Sequence, residues 1–235
     1  MGYLAAALIG VSLSLIGAGG SILTVPVMVY LFSVQPSLAT SYSLFVVGSA
    51  SLIGACNNYR KGLVNIKIAL LFGVSSIVTV FLTRKFIIPV IPQTIWKYGH
   101  YTITESLLIM VLFAMLMLLA SISMIRNKDQ QNEAGMLADK LSYKLSFYGI
   151  AIGFVAGLLG VGGGFLIIPA LVLLVGLPIK EAIGTSLFII ALNSFIGFMG
   201  DLGHFEIDWI FLLRITSLAI LGIFAGYALC ERVQG

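Results

Sequence analysis

Two glycine clusters are the first residues in this chain whose types and spacing could do chemistry. Residues 15–26 read LIGAGGSILTVP, and residues 158–169 read LLGVGGGFLIIP. Glycine tolerates positive φ and lets a ligand approach the backbone. An unwound stretch that runs into a helix presents free N–H groups together with the positive end of the helix dipole, which suits an anion. Gly19, Gly20 and Ser21 in the first cluster, and Gly162, Gly163 and Gly164 in the second, are therefore candidate ligand-binding positions. For any single glycine the competing role is close helix packing. The duplicated cluster, with Pro26 or Pro169 following it, favours binding. GVGGG is not a dinucleotide fingerprint, because it lacks GxGxxG and a preceding strand pattern.

The two clusters belong to an internal repeat. An offset of 143 residues (Leu15 onto Leu158) aligns them without a gap and continues through Ala39 with Ala182, Ser43-Leu44-Phe45 with Ser186-Leu187-Phe188, and Gly54 with Gly197. Chance similarity between two apolar helices would scatter Leu and Ile identities and would not superpose three glycines and a proline. Gly/Pro-interrupted apolar segments at matching places in two halves point to a transporter's binding site.

Other side chains can act on an anion held there. Ser41, Ser43, Thr185 and Ser186 follow the clusters and can donate hydroxyls, or can bond back to their own helix carbonyls. Asn57, Asn58 and Asn193 lie at or within apolar runs, where an amide binds substrate or pairs helices. Arg60, Asp201 and His204 form a candidate proton or anion relay. Against that, Arg60 also fits a headgroup anchor, and Asp201 with His204 a plain loop.

The elements that must position these residues are set by composition. The chain has 235 residues, 60% hydrophobic and 9% charged, whereas soluble domains carry about 25% charged residues. So few charges cannot cover a water-facing surface, which excludes a soluble enzyme, a nucleic-acid binder and a disordered chain. The net charge of +4 is scattered over short loops and makes no basic stripe. Apolar runs lie at roughly 3–33, 38–57, 66–83, 105–125, 145–176, 182–200 and 209–229. A hydrocarbon core of about 30 Å needs about 20 helical residues, so the spacing predicts an all-α, polytopic transmembrane bundle. The runs 3–33 and 145–176 exceed one span, and the glycine clusters interrupt them. The organisation expected is a first transmembrane repeat over 1–125, a hydrophilic loop over 126–144 and a second repeat over 145–235. Cys56 and Cys230 read as free buried thiols.

The glycine clusters with their prolines, AIGTSL (182–187) and the GHFEIDW turn (203–209) resemble the sulfite exporter TauE/SafE family. The resemblance covers nearly the whole chain. It implies a multi-pass protein of a bacterial or archaeal plasma membrane that transports sulfur-containing anions such as sulfite, organosulfonates or thiosulfate. It also implies one span beyond the seventh run. Two departures stand out: Ser21 where the second half has Gly164, and Ser41-Tyr42-Ser43 where it has Gly184-Thr185-Ser186.

The function expected is a secondary transporter holding its substrate between the two glycine-rich breaks. Its partners would be a small sulfur anion, the lipid bilayer, a coupling ion (proton or sodium) and, in a homo-oligomer, further copies of itself. No cofactor, metal or nucleic acid is expected. An intramembrane enzyme is the alternative, weakened because HExxH, GxSxG and paired intramembrane carboxylates are lacking; a channel-like or purely structural subunit is a third reading. The loop at 58–67 carries Arg60, Lys61 and Lys67, whereas 201–208 carries three acids and no Lys or Arg. By the positive-inside rule these loops face opposite sides, which favours an inverted repeat. Four simple crossings per half would instead give parallel repeats. Inversion then requires each long first segment to fold as a hairpin of half-helices.

Overall fold

The computed structural model describes residues 6–11, 21–90, 94–98, 101–104, 111, 114–115, 118, 142–159, 164–173, 175–204 and 206–233. The hydrophilic loop 126–141 and glycines 17, 19, 20, 160, 162 and 163 lie outside these residues. Helix α1 covers 6–11, α2 Ser21–Phe32, α3 Pro36–Arg60 and α4 Ile66–Leu82. A π-helical turn, Thr83–Ile87, and a short 3-10 turn, Ile88–Val90, extend α4. The loop that follows carries a two-stranded antiparallel hairpin, β1 Thr94–Tyr98 and β2 Tyr101–Thr104, with Lys97 paired to Thr102. The second half comprises α5 Ser142–Leu159, α6 Gly164–Leu173, α7 Ile179–Asp201 and α8 Trp209–Val233.

Local chemistry explains the helix starts. Pro36 opens α3, where a missing N–H costs nothing. The Asn65 side chain caps α4 by accepting from the Ile68 N–H at 3.2 Å. Asp208 caps α8 in the same way, accepting from the Phe211 N–H at 3.0 Å. The starts of α2, α3 and α4 (Ser21, Pro36, Ile66) recur at Gly164, Ile179 and Trp209, each at the sequence offset of 143. Pro26 and Pro169 lie at the same place within α2 and α6.

Among the described residues, four segments are long and apolar enough to cross a membrane: Pro36–Arg60, Ile66–Val90, Ile179–Asp201 and Trp209–Gly226. Their polarity is arranged inside out. On α4, Leu70, Val74, Val78 and Leu82 form an exposed stripe at i, i+4 spacing, while Ser76, Thr83 and Arg84 are buried. Such a stripe is stable against lipid and not against water. Cys56, expected inside, is free and exposed on α3. Its neighbours along the helix explain the correction, since Leu52 and Tyr59 are exposed on the same segment.

The most extensive helix contact is between α3 and α7, which pack antiparallel. Ser41, near the start of α3, meets Asp201 at the end of α7. A Cβ on Gly48 would lie 3.1 Å from Ser194, and one on Gly184 would lie 3.2 Å from Asn58 near the end of α3. Two cores flank this pair. One joins α4 residues Ile68 and Phe72 to Leu145, Leu171 and Ile189 of α5–α7. The other joins α8 residues Leu212 and Ile215 to Ala6, Met28 and Val46 of α1–α3. Helix α4 of the first half thus packs in the core of α5–α7, and α8 of the second half in the core of α1–α3. Matching close approaches seal the exchange: Gly153 of α5 lies against the Ser76 carbonyl of α4, and Gly10 of α1 against the Ala219 carbonyl of α8. Any side chain at either glycine would strike backbone.

Candidate functional site

The helix starts bring the expected hydroxyls into the bundle, and most find protein partners. Ser41 is buried and donates to the Asp201 carboxylate. Thr185 accepts the Asn65 N–H at 2.9 Å, fixing the start of α4. Ser186 donates to the Ile183 carbonyl of its own helix at 2.9 Å, as does Asn58 to Gly54 at 2.9 Å. Asn193 donates to the Ser76 hydroxyl at 2.7 Å, linking α7 to α4. Asn57 is half-buried. Ser21 and Gly164 open α2 and α6; Gly19, Gly20, Gly162 and Gly163 lie outside the described residues.

Several buried polar atoms have no hydrogen-bond partner among the described residues: Thr24 Oγ1, Ser43 Oγ, Ser51 Oγ, Ser194 Oγ and Asn193 Oδ1. They lie on α2, α3 and α7. Buried polar groups are nearly always satisfied in native proteins, by protein or by what the protein holds. In lipid that requirement is stricter, since an unsatisfied group costs several kcal/mol. These atoms can satisfy a polar ligand or its water. Of the five residues, only Ser43 and Asn193 stand out in the sequence; Thr24, Ser51 and Ser194 look like ordinary small polar residues in apolar helices.

The structure separates Arg60 from the other two relay residues. Asp201 is buried at the end of α7, and His204 is exposed in the turn beyond it, its N–H bonded to the Asp201 carbonyl at 3.1 Å. Arg60 is exposed at the far end of α3, about 30 Å from Ser41 at about 1.5 Å per residue. The cation that meets Asp201 is Arg84, whose Nη1 lies 2.9 Å from Oδ2. The same nitrogen donates to Thr40 Oγ1 at 3.1 Å. Both side chains are buried. Arg84 sits in the π-helical turn, a local form frequent at functional sites, and Gly200 leaves room for it. By sequence, Arg84 ends an apolar run and reads as a loop cation.

Next to this cluster, a cleft of about 640 Å³ opens between the α2–α3 loop and the α7–α8 turn, lined in part by Gln35, Tyr42, His204, Glu206 and Asp208. Tyr42 closes one wall, its hydroxyl accepting the Asp208 N–H at 2.9 Å.

Comparison with known proteins agrees with this architecture. The family model described as sulfite exporter TauE/SafE matches residues 3–235. A probable membrane transporter protein, YunE, of Bacillus subtilis is 29% identical, over 94% of this chain and 84% of its own. A probable membrane transporter protein of Xylella fastidiosa is 28% identical, over 96% and 82%. One from Methanocaldococcus jannaschii is 26% identical, over 93% and 78%. No solved structure matches. With its inside-out helices and a match along nearly its whole length, the chain belongs to the sulfite exporter TauE/SafE family and is an integral membrane transporter of that family.

Proposed function

We propose that this protein is a secondary transporter of small sulfur oxyanions (sulfite, thiosulfate or organosulfonates), built as an inverted duplication of residues 1–125 and 145–235 around the 126–144 loop. It holds its substrate between the two glycine clusters and performs no covalent chemistry. The observation that carries this reading is the set of unpartnered buried oxygens on α2, which begins at the first glycine cluster, and on α3 and α7, the helices that follow α2 and α6 in the two halves. Neutral hydroxyls and backbone N–H groups bind an oxyanion firmly yet release it, as transport requires. Antiparallel packing of α3 on α7, in which the approach of Ser41 to Asp201 recurs as that of Gly184 to Asn58, supports inversion. So does the pairing of separate helices α5 and α6 across the second cluster.

The experiment is counterflow of radiolabelled thiosulfate into proteoliposomes of the purified chain. Internal thiosulfate should drive accumulation of external label, and sulfite and methanesulfonate should compete. Uptake no greater than in protein-free vesicles would sink the proposed substrate class.

A further inference from the structure

We propose that Arg84 and Asp201 form an exchangeable ion pair, in which a substrate oxyanion takes the place of the Asp201 carboxylate on Arg84 while Asp201 takes up one proton. The inference rests on the transport reading above and adds to it a charged substrate ligand and a coupling ion.

The geometry is that of an oxyanion site already filled from within. Asp201 Oδ2 receives two donors, Arg84 Nη1 at 2.9 Å and the Ser41 hydroxyl. Thr40 Oγ1 accepts from the same guanidinium nitrogen. A guanidinium and a hydroxyl converging on one oxygen suit a sulfonate as well as a carboxylate. The other carboxylate oxygen, Oδ1, is buried without a partner, so the carboxylate is held at one oxygen only.

Charge balance then sets the proton. Arg84 and Asp201 are neutral as a pair, and both are fully buried. Adding a monoanion to them would leave a net buried negative charge, which is costly in a low-dielectric interior. If Asp201 binds one proton as the anion arrives, the site stays neutral: guanidinium with sulfonate, beside a neutral carboxyl. No bond is broken and no redox partner is needed.

The surroundings offer a route for that proton. His204 follows Asp201 in the turn and lines the cleft with Glu206 and Asp208. Of the elements packed on Asp201, α3 presents Thr40, Ser41 and the phenol Tyr42, and the end of α4 presents Arg84. Lys85 is exposed, its ammonium lying over the Phe81 and Phe86 rings. An acidic cleft concentrates protons and repels free anions, so it suits the coupling ion. Positions equivalent to Asp201 and Arg84 at the 143 offset are Asn58 and Tyr227. The charged pair therefore exists once, and proton binding would belong to one face of the transporter.

The test is calorimetric binding of methanesulfonate, a monoanion that does not itself titrate near neutral pH, to the purified chain in buffers of different ionisation enthalpy. Wild type should take up one proton per anion bound. Asp201→Asn should bind with no proton uptake. Because that variant removes the Asp201 carboxylate from Arg84, methanesulfonate should raise its melting temperature more than that of wild type. The neutral pair Arg84→Gln/Asp201→Asn should bind at least about tenfold more weakly. Proton uptake unchanged in Asp201→Asn, or wild-type affinity in the neutral pair, would overturn the exchange. So would thiosulfate counterflow by a wild-type chain whose methanesulfonate binding takes up no proton, and there the transport reading would survive. Failure of both counterflow and binding in wild type would end both.

Discussion

The N–H of Asn65 donates to the Thr185 hydroxyl at 2.9 Å, and the same bond recurs between the positions that the internal repeat equates with them. Asp208 stands 143 residues after Asn65, and Tyr42 the same distance before Thr185; the Asp208 N–H donates to the Tyr42 hydroxyl, also at 2.9 Å. The residue that precedes α4 in the first half, and the one that precedes α8 in the second, are therefore each anchored to the other half. A reciprocal contact of this kind is what a two-fold relation produces. The antiparallel run of α3 and α7 is what the proposed inverted duplication requires.

Removing either acceptor should weaken the fold by a similar amount. Thr185→Val and Tyr42→Phe each strand one partly buried backbone N–H, a loss of about 1–3 kcal/mol. Thermal melts in detergent should show each variant lowered by about 2–4 °C per kcal/mol, with nearly additive effects in the double variant because the bonds lie at opposite ends of α3. A loss confined to one variant would argue against the reciprocal arrangement.

Inversion also makes a sidedness prediction. Lys61 and His204 are equivalent under the repeat and both are exposed. In a background with Cys56→Ser and Cys230→Ser, Lys61→Cys and His204→Cys should react with a membrane-impermeant maleimide from opposite faces of oriented vesicles. Labelling of both from one face would favour parallel repeats.

The buried pair at Arg84 and Asp201 should behave asymmetrically in a stability cycle. Arg84→Gln or Asp201→Asn alone breaks the buried pair by removing one partner and should cost about 3–5 kcal/mol, whereas the double variant should recover most of that loss. Denaturation midpoints of the four proteins measure it directly. Additive losses would mean that the two charges do not compensate one another.

Much of this architecture was legible in the residues. The 60% hydrophobic composition called for spans, and the offset of 143 residues that relates the glycine clusters also relates the helix starts at Ser21 and Gly164. Asn65 and Asp208, each just before an apolar run, carry the ordinary N-cap signal. Legibility ended where packing decides direction. Thr185 and Ser186 look equally able to donate to a substrate, yet one accepts a backbone N–H and the other bonds to its own helix. Arg84 offered no cue, because a cation at the end of an apolar run normally faces headgroups. It turns inward through a π-helical turn and the space left by Gly200. Neither feature can be read from the local sequence around position 84.

The proposed substrate site lies between two equivalent glycine clusters, so the most direct test alters both. Gly20→Leu and Gly163→Leu occupy equivalent positions and should each fill the space where the backbone meets the anion. Thiosulfate counterflow should fall to the level of protein-free vesicles in both variants, with melting and yield close to wild type. Undiminished counterflow in either well-folded variant would contradict the account and leave the clusters as helix-packing surfaces.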